Sequence, residues 1–225
     1  LYRSRRNRES ETLHILPHWN WEGREGEVTP IFVYTNYPKA ELFINGVSQG
    51  VRCKDMSVTA ENTMDKEESA TSFTRQSRYR LMWMDTVYEP GEVKVVAYDV
   101  EGNPVAERTM VTAGKPHHIE LEADRDVIKA DGRDLSFITV RVVDKDGNLC
   151  PNASHRISYR VSGEGFYRAG ANGSTVSTEL FHVPEMEVFS GMMTAIVQST
   201  DTSGEITLTA TAKGLKPAKI VVKTE

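Results

Sequence analysis

"FINGVS", residues 43–48, decides the fold class of this chain. Asn45-Gly46 sits there between two short apolar segments. A tight turn between antiparallel strands needs positive φ at both of its central residues, and Asn-Gly is the pair that accepts this most readily. The stretch therefore predicts a β-hairpin. Working outward, "YEPGEV" (88–93) is a Pro-Gly turn feeding a strand, and "ADGRDL" (130–135) and "DKDGNL" (144–149) are Asp-Gly turns. Turns recur about every ten residues, which is the rhythm of a sandwich.

The segments between the turns alternate. Tyr79, Leu81 and Trp83 alternate with Arg80, Met82 and Met84, and Val93, Val95 and Ala97 with Glu92, Lys94 and Val96. Further on, Ile119, Leu121 and Ala123 alternate with acidic residues, Ile157, Tyr159 and Val161 with Ser158, Arg160 and Ser162, and Ile206, Leu208, Ala210 and Ala212 with threonines. Period two means one buried face and one wet face. The one helical candidate, "SVTAENTMDKEESATSF" (57–73), is polar nearly all round and reads as a loop. The class expected is all-β, with two tandem immunoglobulin-like β-sandwiches. "TAGKPHH" (112–118) breaks the ladder between two strand sets and reads as the linker. The boundaries expected are a polar stub at 1–11, a first sandwich at 12–113 and a second at 114–225.

Composition narrows the partners. The chain has 225 residues and a net charge of −5, with its Lys and Arg dispersed. That argues against nucleic acid and against an anionic membrane surface. No run is long or apolar enough to span a bilayer, and no signal peptide is recognisable. Cys53 and Cys150 fall in different predicted domains, so no disulfide framework is expected.

Catalytic signatures are missing. No H-E-x-x-H, G-x-S-x-G, Walker loop or G-x-G-x-x-G is found. His117 and His118 are adjacent, and neighbours on a strand point to opposite faces, so they read as polar spacer rather than metal ligands. Asp144, Asp146 and Asn148 copy the first spacings of a calcium loop, but Leu149 stands where Gly is required and His155 where a bidentate Glu is required. A turn is the better reading. No metal and no cofactor is expected.

The exception is "LPHWNW" (16–21). Trp19 and Trp21, two apart, would share a face of an extended strand. Three roles are open for His18, Trp19, Asn20 and Trp21. They can pack a sandwich edge. They can stack on a sugar ring, with His18 or Asn20 bonding hydroxyls. They can also anchor the domain on a neighbouring one. If both indoles are buried in the first sandwich, the anchoring role fails.

These residues also carry a resemblance. HWNW (18–21), followed by "ELFING" (41–46), "TAGKP" (112–116) and "ADGRDLSFITVRVVDKDGN" (130–148), resembles the region after the catalytic barrel in bacterial β-galactosidases of glycoside hydrolase family 2. Most of the chain is covered. The resemblance implies that residues 1–11, with four arginines, are the end of the missing barrel. Family members usually carry an aromatic near Arg6, which this chain lacks. Retaining enzymes of this type use two glutamates about 5 Å apart, carried in this family by a (β/α)8 barrel. This sequence has no βα alternation to build one, so no catalytic residue is assigned to it.

The role implied is accessory: support of the barrel of the same parent chain, and of the active-site rim, with a β-galactoside as the substrate class. The anchoring role of the HWNW residues is favoured on this basis. The same resemblance implies a periplasmic, cell-surface or secreted parent. Two rival readings are a free-standing carbohydrate-binding module, built on Trp19, Trp21, Tyr34 and Tyr37 with Tyr34 assigned to the core, and an immunoglobulin-like adhesin or spacer.

Overall fold

A computed structural model describes residues 11–55, 76, 77 and 79–225. The expected stub at 1–11, apart from Glu11, and the polar segment 57–73 lie outside the described residues. The chain divides into two compact units, up to Thr112 and from Ala113 onward.

The first unit contains β1 (Leu13–Leu16), β2 (Ile31–Thr35), β3 (Lys39–Ile44), β4 (Val47–Cys53), β5 (Leu81–Trp83), β6 (Glu92–Tyr98) and β7 (Pro104–Val111). They form a three-stranded sheet, β1-β2-β5, and a four-stranded sheet, β4-β3-β6-β7. Alternation puts Ile15, Ile31, Val33, Leu81 and Trp83 of one sheet against Ala40, Leu42, Ile44, Val93, Val95 and Ala97 of the other. Burying each aliphatic side chain contributes about 1.5–3 kcal/mol. The Asn45-Gly46 turn has positive φ at both residues and joins Ile44 to Val47 across the hairpin. Asn45 also accepts the Glu92 amide at 2.8 Å. Gly91, at φ 139°, leaves room for this, since a Cβ there would lie 2.0 Å from the Asn45 carboxamide oxygen.

The alternation expected over 79–84 holds only in part. Leu81 and Trp83 enter the core, but Tyr79 is exposed, and Met82 is buried outside the core cluster. The strand is only three residues long, so Tyr79 falls outside its ladder.

The second unit contains β8 (His118–Ala123), β9 (Val127–Ile128), β10 (Leu135–Val143), β11 (Arg156–Gly163), β12 (Gly165–Ala171), β13 (Glu185–Glu187), β14 (Met192–Ser199), β15 (Gly204–Thr211) and β16 (Ala218–Thr224). Its sheets run β12-β14-β10-β8 and β13-β11-β15-β16-β9. Ile138, Val140, Ala195 and Val197 from the first sheet and Ile157, Ile206 and Leu208 from the second make its core. Both units are thus all-β sandwiches.

The stretch read as a linker is held at both ends. Thr112 donates its amide to Gly91 within the first unit. Ala113 belongs to the second core. The Gly114 amide donates to the Asp144 carboxylate at 2.8 Å. The same buried carboxylate accepts the Asp146 and Asn148 amides, each at 2.9 Å, and the Asn148 side chain at 3.1 Å. Asp144 is therefore the cap of a turn, and its donors come from the protein itself. Burial disfavours its charge, but the amides of Gly114, Asn148 and Asp146 and the Asn148 side chain outweigh that and hold its pKa at about 2.

Two outcomes follow for this cap. Asp144→Ala leaves four donors without their acceptor and should destabilise the second unit by about 2–4 kcal/mol in urea denaturation. The folded pKa lies below the ordinary value of 3.8. The wild-type contribution is therefore full above that value and fades as the pH falls through about 2, so the gap between wild type and variant should shrink in acid.

Candidate functional site

After β1 the chain leaves the sheet at a cis Leu16–Pro17 bond and runs through bends and turns to Gly26. Trp19 and Trp21 are therefore not on a common strand face, and they part company. Trp19 is buried in the first core. Its indole Nε1 donates to the Glu89 carbonyl at 2.9 Å. Its ring meets Tyr88 edge to face, with centroids 5.1 Å apart. Its carbonyl accepts the Thr112 hydroxyl at 2.6 Å.

Trp21 is half-buried against the rim of that core. His18 stacks on it, with ring centroids 4.4 Å apart and planes 22° from parallel. The Arg24 guanidinium lies 5.4 Å from its ring centre, a cation–π distance. The Trp21 Nε1 is buried with no hydrogen-bond partner. The Asn20 amide donates to His18 Nδ1 at 3.2 Å. A nitrogen that accepts carries no proton, so the neutral imidazole has its proton on Nε2. Burial lowers the His18 pKa from its ordinary 6.5. The Arg24 amide donates to the Trp21 carbonyl at 2.9 Å, and its guanidinium pairs with Glu27 at 2.7 Å, so the turn is braced locally.

Of the four residues singled out in sequence, one serves the core and two form a surface stack. The fourth, Asn20, joins the stack through its backbone. Arg24 completes the group, and no motif marked it. Its only signal is its place three residues after Trp21, one turn away.

The aromatic platform of the binding-module reading is not assembled. Trp19 is interior, and Tyr37 packs against the core. Tyr34 also differs from expectation. It lies outside the core cluster, where its hydroxyl accepts from Arg80 at 2.8 Å. It faces out because Ile31, Val33 and Thr35 take the inward positions of β2.

The histidine pair departs from its expected geometry as well. His117 and His118 meet, with Nδ1 atoms 3.0 Å apart. Strand alternation does not separate them because β8 begins only at His118. Among the described residues no group of three or more His, Cys, Asp or Glu could hold a metal ion. Cys53 is exposed, Cys150 is buried, and both are free. Burial, with the nearby Asp144 charge, pushes the Cys150 thiol up to about 11, which keeps it unreactive.

Comparison with known proteins places this geometry. Residues 119–221 match the family "Glycoside hydrolase family 2 C-terminal domain 5", and residues 26–106 match a domain of unknown function (DUF4982). The chain is 36% identical to the β-galactosidase BoGH2A of Bacteroides ovatus, over 96% of this chain and 23% of that protein. It is 26% identical to a β-glucuronidase of Formosa agariphila, over 94% of this chain and 19% of that protein. The structure of a β-glycosidase from Bacteroides vulgatus superposes with a TM-score of 0.80 at 27% identity, covering 95% of this chain and 24% of that one. The chain thus spans a quarter or less of the length of these relatives. It belongs to glycoside hydrolase family 2, as the two-sandwich accessory region that its β-galactosidase and β-glucuronidase relatives carry at the C-terminal end.

Proposed function

We propose that this chain supports the catalytic barrel of a longer retaining β-glycosidase acting on β-galactosides, and has no hydrolytic activity of its own. The observation that carries this reading is the match itself. Nearly the whole chain aligns with under a quarter of a β-galactosidase, and both units take part. β-Galactoside is favoured over β-glucuronide because the β-galactosidase is the more similar of the two relatives. Glycoside hydrolysis with retention needs two carboxylates about 5 Å apart, flanking the scissile bond. In this reading the barrel supplies them and the sandwiches hold it in place.

Within that role, the His18–Trp21–Arg24 stack is the contact to the barrel. A half-buried indole whose stacked face is left at the surface suits an interface anchor. The stack lies between β1 and the turn braced by Arg24 and Glu27.

Three measurements test this. The longer protein should hydrolyse a chromogenic β-galactoside, and this chain should not. Turnover by this chain alone would overturn the reading. Trp21→Ala in the longer protein should cost about 1–3 kcal/mol of stability at unchanged KM. A raised KM with stability intact would instead make Trp21 a sugar contact.

The third is a pH titration of this chain. The folded His18 pKa lies below 6.5, so the neutral stack is intact above that value and is lost as the pH falls through the folded pKa. Tryptophan fluorescence should change over that interval in wild type and not in Trp21→Phe. A flat signal in wild type would rule out the neutral-histidine stack.

A further inference from the structure

The outer side of the sheet β12-β14-β10-β8 in the second unit is stepped. Alternation sends Ile138, Val140, Ala195 and Val197 into the core, so their neighbours along β10 and β14 face out. On β12 a bulge between Tyr167 and Ala169 turns Ala169 and Ala171 to the same side and leaves Gly170 inside. Gly170 has to be glycine, since a Cβ there would lie 2.4 Å from the Tyr167 hydroxyl.

The pairing register sorts these outward side chains into rows that cross the strands. One row holds Ala169, Ile196 and Phe137. The next holds Ala171, Thr194 and Thr139, and the one after that Met192 and Arg141. Small side chains thus lie between two rows of larger ones. Same-face rows are about 7 Å apart along a strand, and neighbouring strands about 5 Å apart. The result is a shallow trough across β12, β14 and β10, with a floor about 10 Å long.

The two walls differ in chemistry. Ile196 and Phe137 make one of them, and Phe137 is 42% exposed. Phe166, Gln198 and Leu135 form the row behind it. On the other wall Arg141 pairs with Glu122 at 2.6 Å, and Glu122 lies level with Thr139 on β8. Thr194 and Thr139 put two hydroxyls on the floor between them.

A pyranose ring is complementary to such a trough. Its C–H groups lie against an aromatic face, and its hydroxyls bond to donors and acceptors alike. A guanidinium held by a carboxylate keeps N–H groups for those hydroxyls, and the carboxylate keeps acceptor capacity. Charge narrows the class. Arg141 and the bulge residue Arg168 stand on this side against Glu120, Glu122 and Asp124. The surplus is negative, which works against a polyanion and favours an uncharged glycan.

We infer that this trough binds a neutral oligosaccharide. Phe137 stacks on one sugar, Thr139 and Thr194 bond its hydroxyls from the floor, and the Arg141–Glu122 pair holds one end. The function proposed above enters only in the choice of galactose as the sugar.

The test is a titration of this chain with a neutral β-linked galacto-oligosaccharide, followed by NMR of the methionine methyl groups. Met192, half-buried in the trough wall, should shift saturably at millimolar sugar, and Met186, buried in the core, should not. Phe137→Ala should weaken binding about tenfold. Arg141→Met keeps the bulk of the wall, removes its donors, and should weaken binding to a similar degree. Thr194→Val, equal in shape, should also weaken it, and this separates a lost contact from a lost fold.

No saturable shift at Met192 would overturn the inference. So would binding that survives Phe137→Ala and is lost in Trp21→Ala, since the sugar would then sit on the first unit. An oligogalacturonate bound more tightly than the neutral sugar would overturn it too. Hydrolysis of a chromogenic β-galactoside by the longer protein is read separately. Saturable binding without hydrolysis overturns the proposed function and leaves the trough standing. Hydrolysis with a silent Met192 does the reverse.

Discussion

The indole of Trp19 closes the first unit. Through its ring, its Nε1 and its carbonyl it joins three places far apart in the chain: the segment after β1, the turn at Glu89 and the end of β7 at Thr112. Its two hydrogen bonds reach across 70 and 93 positions of the chain. Removing a buried tryptophan costs about 3–5 kcal/mol, a large share of the 5–15 kcal/mol that a domain has to spare. The anchor also has a directional effect. Once Trp19 is fixed inward and Trp21 is held by the turn at Arg24, the face of Trp21 and the ring of His18 are left at the surface. The core contact and the surface stack are two results of one local fold.

That fold explains what sequence could and could not give at HWNW. Two tryptophans two apart share a face only if the chain is extended between them. Residues 17–26 bend and turn, so the rule does not apply, and nothing in the composition of the motif announces which indole goes inside. The strands themselves are legible because successive side chains of an extended chain point to opposite faces, and one face is buried. β3, β6 and β14 follow this pattern residue by residue. The Asn45-Gly46 turn was legible for the same reason, since its positive φ is a local demand.

Long-range polar contacts were not legible. Asp144 has the spacing of a turn, and the sequence shows that much, but its bond to Gly114 crosses 30 residues. His117 and His118 were separated in expectation by a strand that begins one residue too late to separate them. Arg24 and Arg80 look like ordinary surface cations in sequence. Only the fold lays them against Trp21 and Phe32. In each case the missing information is where a second segment passes, which no local pattern encodes.

The two sheets of the first unit are alike on their outer sides. The four-stranded sheet sets Val51 and Val111 beside the Lys94–Glu107 pair, and the three-stranded sheet sets Leu16 and Phe32 beside Tyr34 and Arg80. Scattered apolar side chains of this kind are ordinary on a folded surface. What distinguishes one place on the first unit is the stack at Trp21, where an imidazole and a guanidinium converge on an indole that the core only half covers. A ring already held by its neighbours has little conformational freedom left to lose on contact, which is the property that makes an aromatic side chain an effective anchor.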